Sequence, residues 1–243
     1  MRKQFRDTLM ELDNTALILG GVSNYLFKEY QEKYPDRFYD LGICEQTMIS
    51  VAAGLASRGI NVFVHTIAPF LIERAYEQIK LDVCYNKFPV NIISCGASFD
   101  YAWDGPTHHS YNDLELMRLL PGMEVIQPGS NIELASFLRQ TYDNGNPTYI
   151  RLSDHPFEGG GEYRVGSGIT VRSMPSDLVV VSSGPLASDV GKACNGTDAS
   201  FLYFPSIKPF DAELLQHYSE KRVLVVSDSR GLFEAVTACG VKA

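Results

Sequence analysis

Six short strand-like runs, each separated from the next by a stretch with helical spacing, dominate the N-terminal two thirds of the sequence. They are residues 15–19, 37–42, 61–65, 89–94, 123–126 and 147–152. Residues 24–34, 45–58, 70–86, 113–120 and 130–143 read as the intervening helices, residues 4–12 as one ahead of the first run, and 96–112 as a polar loop. The run at 89–94 is almost continuously apolar, as a strand covered on both faces should be. Alternation of β and α in units of this size predicts an α/β fold with an open parallel sheet and helices on both faces. The triple glycine at 159–161 breaks the pattern and reads as a linker over 158–168, which places one domain at 1–157 and a second at 169–243. The second domain reads as strands 178–182, 200–204 and 222–227, with helices 186–194, 211–219 and 231–238. Three strands make a small sheet, so this domain is expected to be either minimal or cut short.

Composition narrows the function classes. A net charge of −8 argues against nucleic acid or an anionic membrane as the main partner. The sequence shows no 18-residue apolar run and no apolar signal core behind Met1-Arg2-Lys3. Its five cysteines show no C-x-x-C and no zinc spacing, so the expected setting is the reducing cytoplasm and no metal site is expected on this chain.

Chemistry concentrates where strands are expected to end. Gly42-Ile43-Cys44-Glu45-Gln46-Thr47-Met48 joins a strand to a helix, and Met48, Val51, Ala52, Leu55 and Ala56 form an apolar stripe that Gly59 closes. A carboxylate at such a turn stands at the carboxyl edge of a parallel sheet, where these sheets place their ligands. Three other segments fall on the same edge: Ile67 to Gln78 with Phe70 and Arg74, Trp103-Asp104-Gly105-Pro106-Thr107-His108-His109, and Arg151-Leu152-Ser153-Asp154. A carboxylate, an aromatic ring at a helix start and an Asp/His loop suit a site that holds a flat heterocycle and moves protons.

Gly42-Ile43-Cys44-Glu45-Gln46, Phe70 with Arg74-Ala75-Tyr76-Glu77-Gln78, and Asp104-Gly105-Pro106-Thr107-His108, in this order, resemble the pyrimidine-binding domain of transketolases. Ile207-Lys208-Pro209-Phe210-Asp211 resembles a mark of their C-terminal domain. The resemblance implies thiamine diphosphate as cofactor. Glu45 would hydrogen-bond N1′ of the aminopyrimidine and favour the imino form that takes the proton from thiazolium C2. Phe70 would stack on the pyrimidine, with Ile67 and Asn24 also on the cofactor. His108, as a catalytic group, and Asp104 would face the substrate's hydroxyls.

Transketolases hold the diphosphate and its Mg²⁺ or Ca²⁺ through a G-D-G…N motif in a separate domain, and this sequence has no G-D-G triplet. The resemblance therefore implies one subunit of a split enzyme, active only with a diphosphate-binding partner chain, in an α2β2 particle or larger. Two departures bear on substrate. Asp154 stands where phosphosugar enzymes carry an Arg, and Gly96 where they carry a His. Arg2 and Lys28 fall near phosphate-contact positions. The expected reaction is transfer of a two-carbon ketol unit between sugar-type substrates other than ordinary phosphosugars. The alternatives are a decarboxylating synthase of the 1-deoxy-D-xylulose-5-phosphate type and an oxoacid dehydrogenase β-subunit.

Overall fold

In a computed structural model, which describes residues 1–241, the chain begins with α1 (Arg2–Leu9), β1 (Thr15–Leu19), α2 (Lys28–Lys33), β2 (Phe38–Asp40), α3 (Glu45–Ala56) and β3 (Asn61–Ile67). The segment expected as one helix over 70–86 is instead two wide π-helical turns, Pro69–Arg74 and Ile79–Tyr85, flanking a short α4 (Tyr76–Gln78). Next come β4 (Val90–Cys95), α5 (Asp113–Leu119), β5 (Glu124–Ile126), α6 (Asn131–Thr141) and β6 (Thr148–Arg151). The remainder is β7 (Ile169–Arg172), β8 (Leu178–Ser182), α7 (Ala187–Cys194), β9 (Ser200–Tyr203), β10 (Ser206–Lys208), α8 (Ala212–Gln216), β11 (Arg222–Val226) and α9 (Arg230–Thr237). Among the described residues no helix is long and apolar enough to cross a membrane.

The larger sheet has the order β10-β5-β6-β4-β3-β1-β2, and every pairing in it is parallel except β10 with β5. Alternate residues of its central strands feed two apolar layers. Ile18, Val64 and Ile92 face α3, the wide turns and α5, whereas Leu17, Leu19, Phe63 and Ile93 face α1, α2 and α6. A fully buried side chain of this kind contributes roughly 1.5–3 kcal/mol. The α3 face differs from the expected stripe: Met48, Ile49, Ala52, Ala53 and Ala56 are buried, while Val51 and Leu55 are half-buried. Gly59 does close the helix in a left-handed conformation, at φ +80°. The chain reverses direction between β1 and β3, since β2 lies on one side of β1 and β3 on the other. That reversal opens a crevice beyond the carboxyl ends of β1 and β3, the usual ligand position in open parallel sheets. Gly20 lies at this point, where a Cβ would come within 2.9 Å of Thr66 Oγ1 and 3.0 Å of Met48 Sδ.

The second sheet has four strands rather than the expected three, in the order β11-β8-β9-β7, with β7 antiparallel at its edge. Short edge strands such as β7 and β10 carry too few residues for a period-2 signal. β10 leaves this second unit and extends the first sheet, pairing Ser206 with Ile126 and Lys208 with Val125. Lys208 Nζ then donates to the Arg118 and Leu120 carbonyls, at 2.9 and 2.5 Å, and so caps the end of α5. A buried polar seam adds to this join. Arg151 on β6 reaches Asp113 on α5 at 3.2 Å, Asp228 after β11 at 3.1 Å and the Ser110 carbonyl at 3.2 Å. Gln127 bridges the same Asp228, at 3.1 Å, and Ser183, at 2.6 Å.

Candidate active site

The carboxyl edge gathers Glu45, Phe70 and His108. Asp40 ends β2, Gly42 turns the chain at φ +73°, and Glu45 starts α3 with its side chain only 1% exposed. Pro69 sets the first residue of the wide turn after β3, which places Phe70 and Arg74 four residues apart on the side facing Glu45. Arg74 Nη1 donates to Glu45 Oε2 at 2.7 Å, and its guanidinium lies over the Phe70 ring, 4.5 Å from the centroid. The His108 ring meets Phe70 edge-on, with centroids 5.0 Å apart at 82°, and its Nδ1 is 3.0 Å from Thr107 Oγ1. The sequence alone assigns Arg74 no role of its own. The signal available was its i, i+4 spacing from Phe70 and the need of a buried Glu45 for a cation.

The loop after β1 is pinned from two sides. The Gly21 and Gly42 amides donate to Asp40 Oδ1 at 3.1 and 3.2 Å, and Asn24 Nδ2 donates to Asp40 Oδ2. Asn24 Oδ1 is buried and has no hydrogen-bond partner among the described residues. Beneath this loop lies His65 of β3, fully buried, with Nδ1 2.8 Å from the Ile93 carbonyl and Nε2 3.2 Å from Ser23 Oγ. A carbonyl only accepts, so Nδ1 carries the hydrogen and Nε2 accepts from Ser23. Burial pushes the His65 pKa down to about 4, which keeps the ring neutral and this pair of bonds intact. His65 was hidden in the sequence as one more strand residue.

The remaining candidates divide. Arg2 and Asp154 meet at the lip, with Arg2 Nη2 3.3 and 3.4 Å from the two carboxylate oxygens, and the Met1 amino group donates to the Ser153 carbonyl at 3.4 Å. The carboxylate expected to repel phosphate is thus answered by the guanidinium expected to attract it. Asp100 accepts from the Asp154 amide at 3.0 Å, and burial raises the Asp100 pKa. A crevice lined by Met1, Arg2, Tyr25, Leu26, Asn131 and Asp154 opens beside the pair. Asp104 stands exposed on its loop, Ile67 is half-buried at the end of β3, and Lys28 is exposed at the start of α2.

Residues 9–156 match the model of the "Transketolase, pyrimidine binding domain". This chain belongs to the transketolase family. Among relatives of this transketolase chain, a subunit of the apulose-4-phosphate transketolase of Phocaeicola vulgatus is 29% identical over 244 residues, covering 93% of the chain and 78% of that protein. A 6-deoxy-6-sulfo-D-fructose transketolase subunit of a Clostridium species is 28% identical over 247 residues, covering 96% and 75%. A structure titled "Split gene transketolase, inactive beta4 tetramer" superposes with a TM-score of 0.83 at 27% identity, covering 98% of this chain and 83% of that one.

Transketolases depend on thiamine diphosphate, and the residues of this transketolase site fit the pyrimidine end of that cofactor. Glu45 supplies a buried acceptor, and Phe70 an aromatic face already occupied by a flat cation. Asn24 Oδ1 supplies a buried acceptor without a partner among the described residues.

Proposed function

We propose that this chain is the pyrimidine-binding subunit of a two-chain, thiamine-diphosphate-dependent transketolase that moves a two-carbon ketol unit between sugar-type substrates. The observation that carries the reading is Glu45, buried at the carboxyl edge with Phe70 and His108 gathered at the same place. Thiamine diphosphate, when bound, would supply the carbanion chemistry of the reaction. This chain's residues do the rest. Glu45 shares a proton with N1′ of the ring, Phe70 offers its face, and Ile67 and Asn24 complete the walls. His108 moves a proton at a substrate hydroxyl, and Asp104 orients the substrate from the same loop. Arg2, Lys28 and Asp154 meet the substrate's far end.

The diphosphate and its Mg²⁺ or Ca²⁺ fall to a partner chain in an α2β2 assembly in the cytoplasm. Residues 1–157 form the cofactor half of this subunit, 158–168 the link and 169–243 the C-terminal half; residues 242 and 243 lie outside the described residues. The relatives support a split enzyme, since one is named as a transketolase subunit and one structure is titled as a split-gene transketolase. Their named substrates, apulose 4-phosphate and 6-deoxy-6-sulfo-D-fructose, support sugars outside the ordinary phosphosugar set. So does the Arg2–Asp154 pair, in which the two charges offset one another at the lip.

The test is reconstitution with the diphosphate-binding chain from the same organism, thiamine diphosphate and Mg²⁺. We expect no turnover by either chain alone, ketol transfer by the mixture, and no carbon dioxide release from pyruvate. Turnover by this chain alone, or decarboxylation of pyruvate by the mixture, would overturn the proposal.

A further inference from the structure

In this chain the place for a flat, N–H-bearing heterocycle is taken by one of its own side chains. Arg74 makes both contacts that the proposed reading reserves for the cofactor ring, donating to Glu45 Oε2 at 2.7 Å and lying over Phe70 at 4.5 Å. A guanidinium is planar, delocalised and edged with N–H donors. It therefore presents a carboxylate and an aromatic face with the same features as a protonated aminopyrimidine. The exposures fit a cover rather than a core strut: the Arg74 side chain is 41% exposed, whereas Glu45 beneath it is 1% exposed. No carboxylate other than Glu45 holds the Arg74 head among the described residues.

We propose that Arg74 is a built-in placeholder, occupying the aminopyrimidine position in the free chain and swinging into solvent when the ring arrives. The proposal rests on the functional reading above. A placeholder lowers apparent affinity in proportion to the time it is seated, so its removal raises affinity for the ring even without the diphosphate-binding partner. It also keeps the buried carboxylate paired until the ring replaces the guanidinium.

The test uses the full chain with two probes, thiamine, which carries the ring without the diphosphate, and methylguanidinium. Calorimetry should show Arg74→Ala binding thiamine about 10-fold or more tighter than the unmodified chain. Methylguanidinium should bind the same variant, compete with thiamine, and raise its melting temperature. Both gains should vanish when Glu45→Gln is added. Arg74→Gln, which keeps the stem and a neutral donor, should move thiamine affinity in the same direction and serves if the alanine variant does not fold. A merely structural Arg74 gives variants that lose stability and gain neither ligand, which would overturn the proposal through its geometry. Capture of methylguanidinium without thiamine would overturn it through the reading it rests on.

Discussion

Two arginine–carboxylate pairs, built from the same chemistry, stand in different parts of this molecule. At the seam between the two sheets Arg151 is 2% exposed and is held by Asp113, Asp228 and the Ser110 carbonyl. Asp113 in turn accepts from Tyr149, whose hydroxyl lies 2.8 Å from Ser94 Oγ. Burial acts against the Arg151 charge, yet the two carboxylates beside it hold its pKa above the usual arginine value. At the carboxyl edge Arg74 is 41% exposed, lies over the Phe70 ring and, among the described residues, pairs with no carboxylate but Glu45. The difference separates structure from readiness. A buried guanidinium fixed on several sides by protein partners joins elements together, whereas a half-exposed one with a single buried partner can leave.

The largest effect expected from this contrast is at the seam. Arg151→Met leaves Asp113 buried beside Tyr149 without its cation, and breaking a buried pair in this way typically costs about 3–5 kcal/mol. Arg74→Met instead opens Glu45 to water where the half-exposed guanidinium lay, so it should cost clearly less than Arg151→Met. Urea denaturation of the two variants measures the gap. Equal losses would mean that the two arginines do the same work.

His65 sharpens the comparison from beneath the edge, because it holds the loop of Ser23 and Asn24 only while neutral. The folded ring titrates near 4 and the ordinary value is 6.5, so between these pH values the unfolded chain binds a proton that the folded chain does not. Its contribution is therefore fully present above pH 6.5 and is lost as the pH falls towards 4, by about 3 kcal/mol at 1.36 kcal/mol per pKa unit. Denaturation across that range should show His65→Asn losing less stability on acidification than the unmodified chain, by about that amount. Parallel pH profiles would place the acid sensitivity elsewhere.

Much of the carboxyl edge was legible in the sequence because β1, β2, β3 and β4 each end at a residue type a strand interior avoids. Gly20, Asp40, Gly42, Pro69 and Gly96 all mark such ends, and the structure brings their loops to one side of the sheet. Periodicity could not report pairings decided across the sheet. Only its spacing from Phe70 set Arg74 apart in its segment, and nothing local told Arg2 from an anion ligand before Asp154 came to face it. The expected helix at 70–86 is broken by two wide turns, and over segments of six and seven residues the one-residue difference between i→i+4 and i→i+5 bonding leaves too little pattern to read. The buried face of α3 turned toward Ile49 and Ala53 because β3 and the wide turns pack there, a choice the stripe of small apolar residues left open.

In stability the smallest effect belongs to Glu45→Gln, which keeps the volume of the side chain and an acceptor for Arg74, and leaves the apolar face of α3 intact. In chemistry it should be the most damaging, because a positioned proton-transfer group typically contributes about 10²–10⁴-fold in rate. The measurement is hydrogen–deuterium exchange at C2 of thiamine diphosphate in the assembled enzyme, followed by NMR, with unmodified and Glu45→Gln chains of matched assembly state. The account predicts exchange slowed by about 10²-fold or more in the variant. Exchange at the unmodified rate, in an assembly that still binds the cofactor, would contradict the assignment of Glu45 and with it the function proposed for this chain.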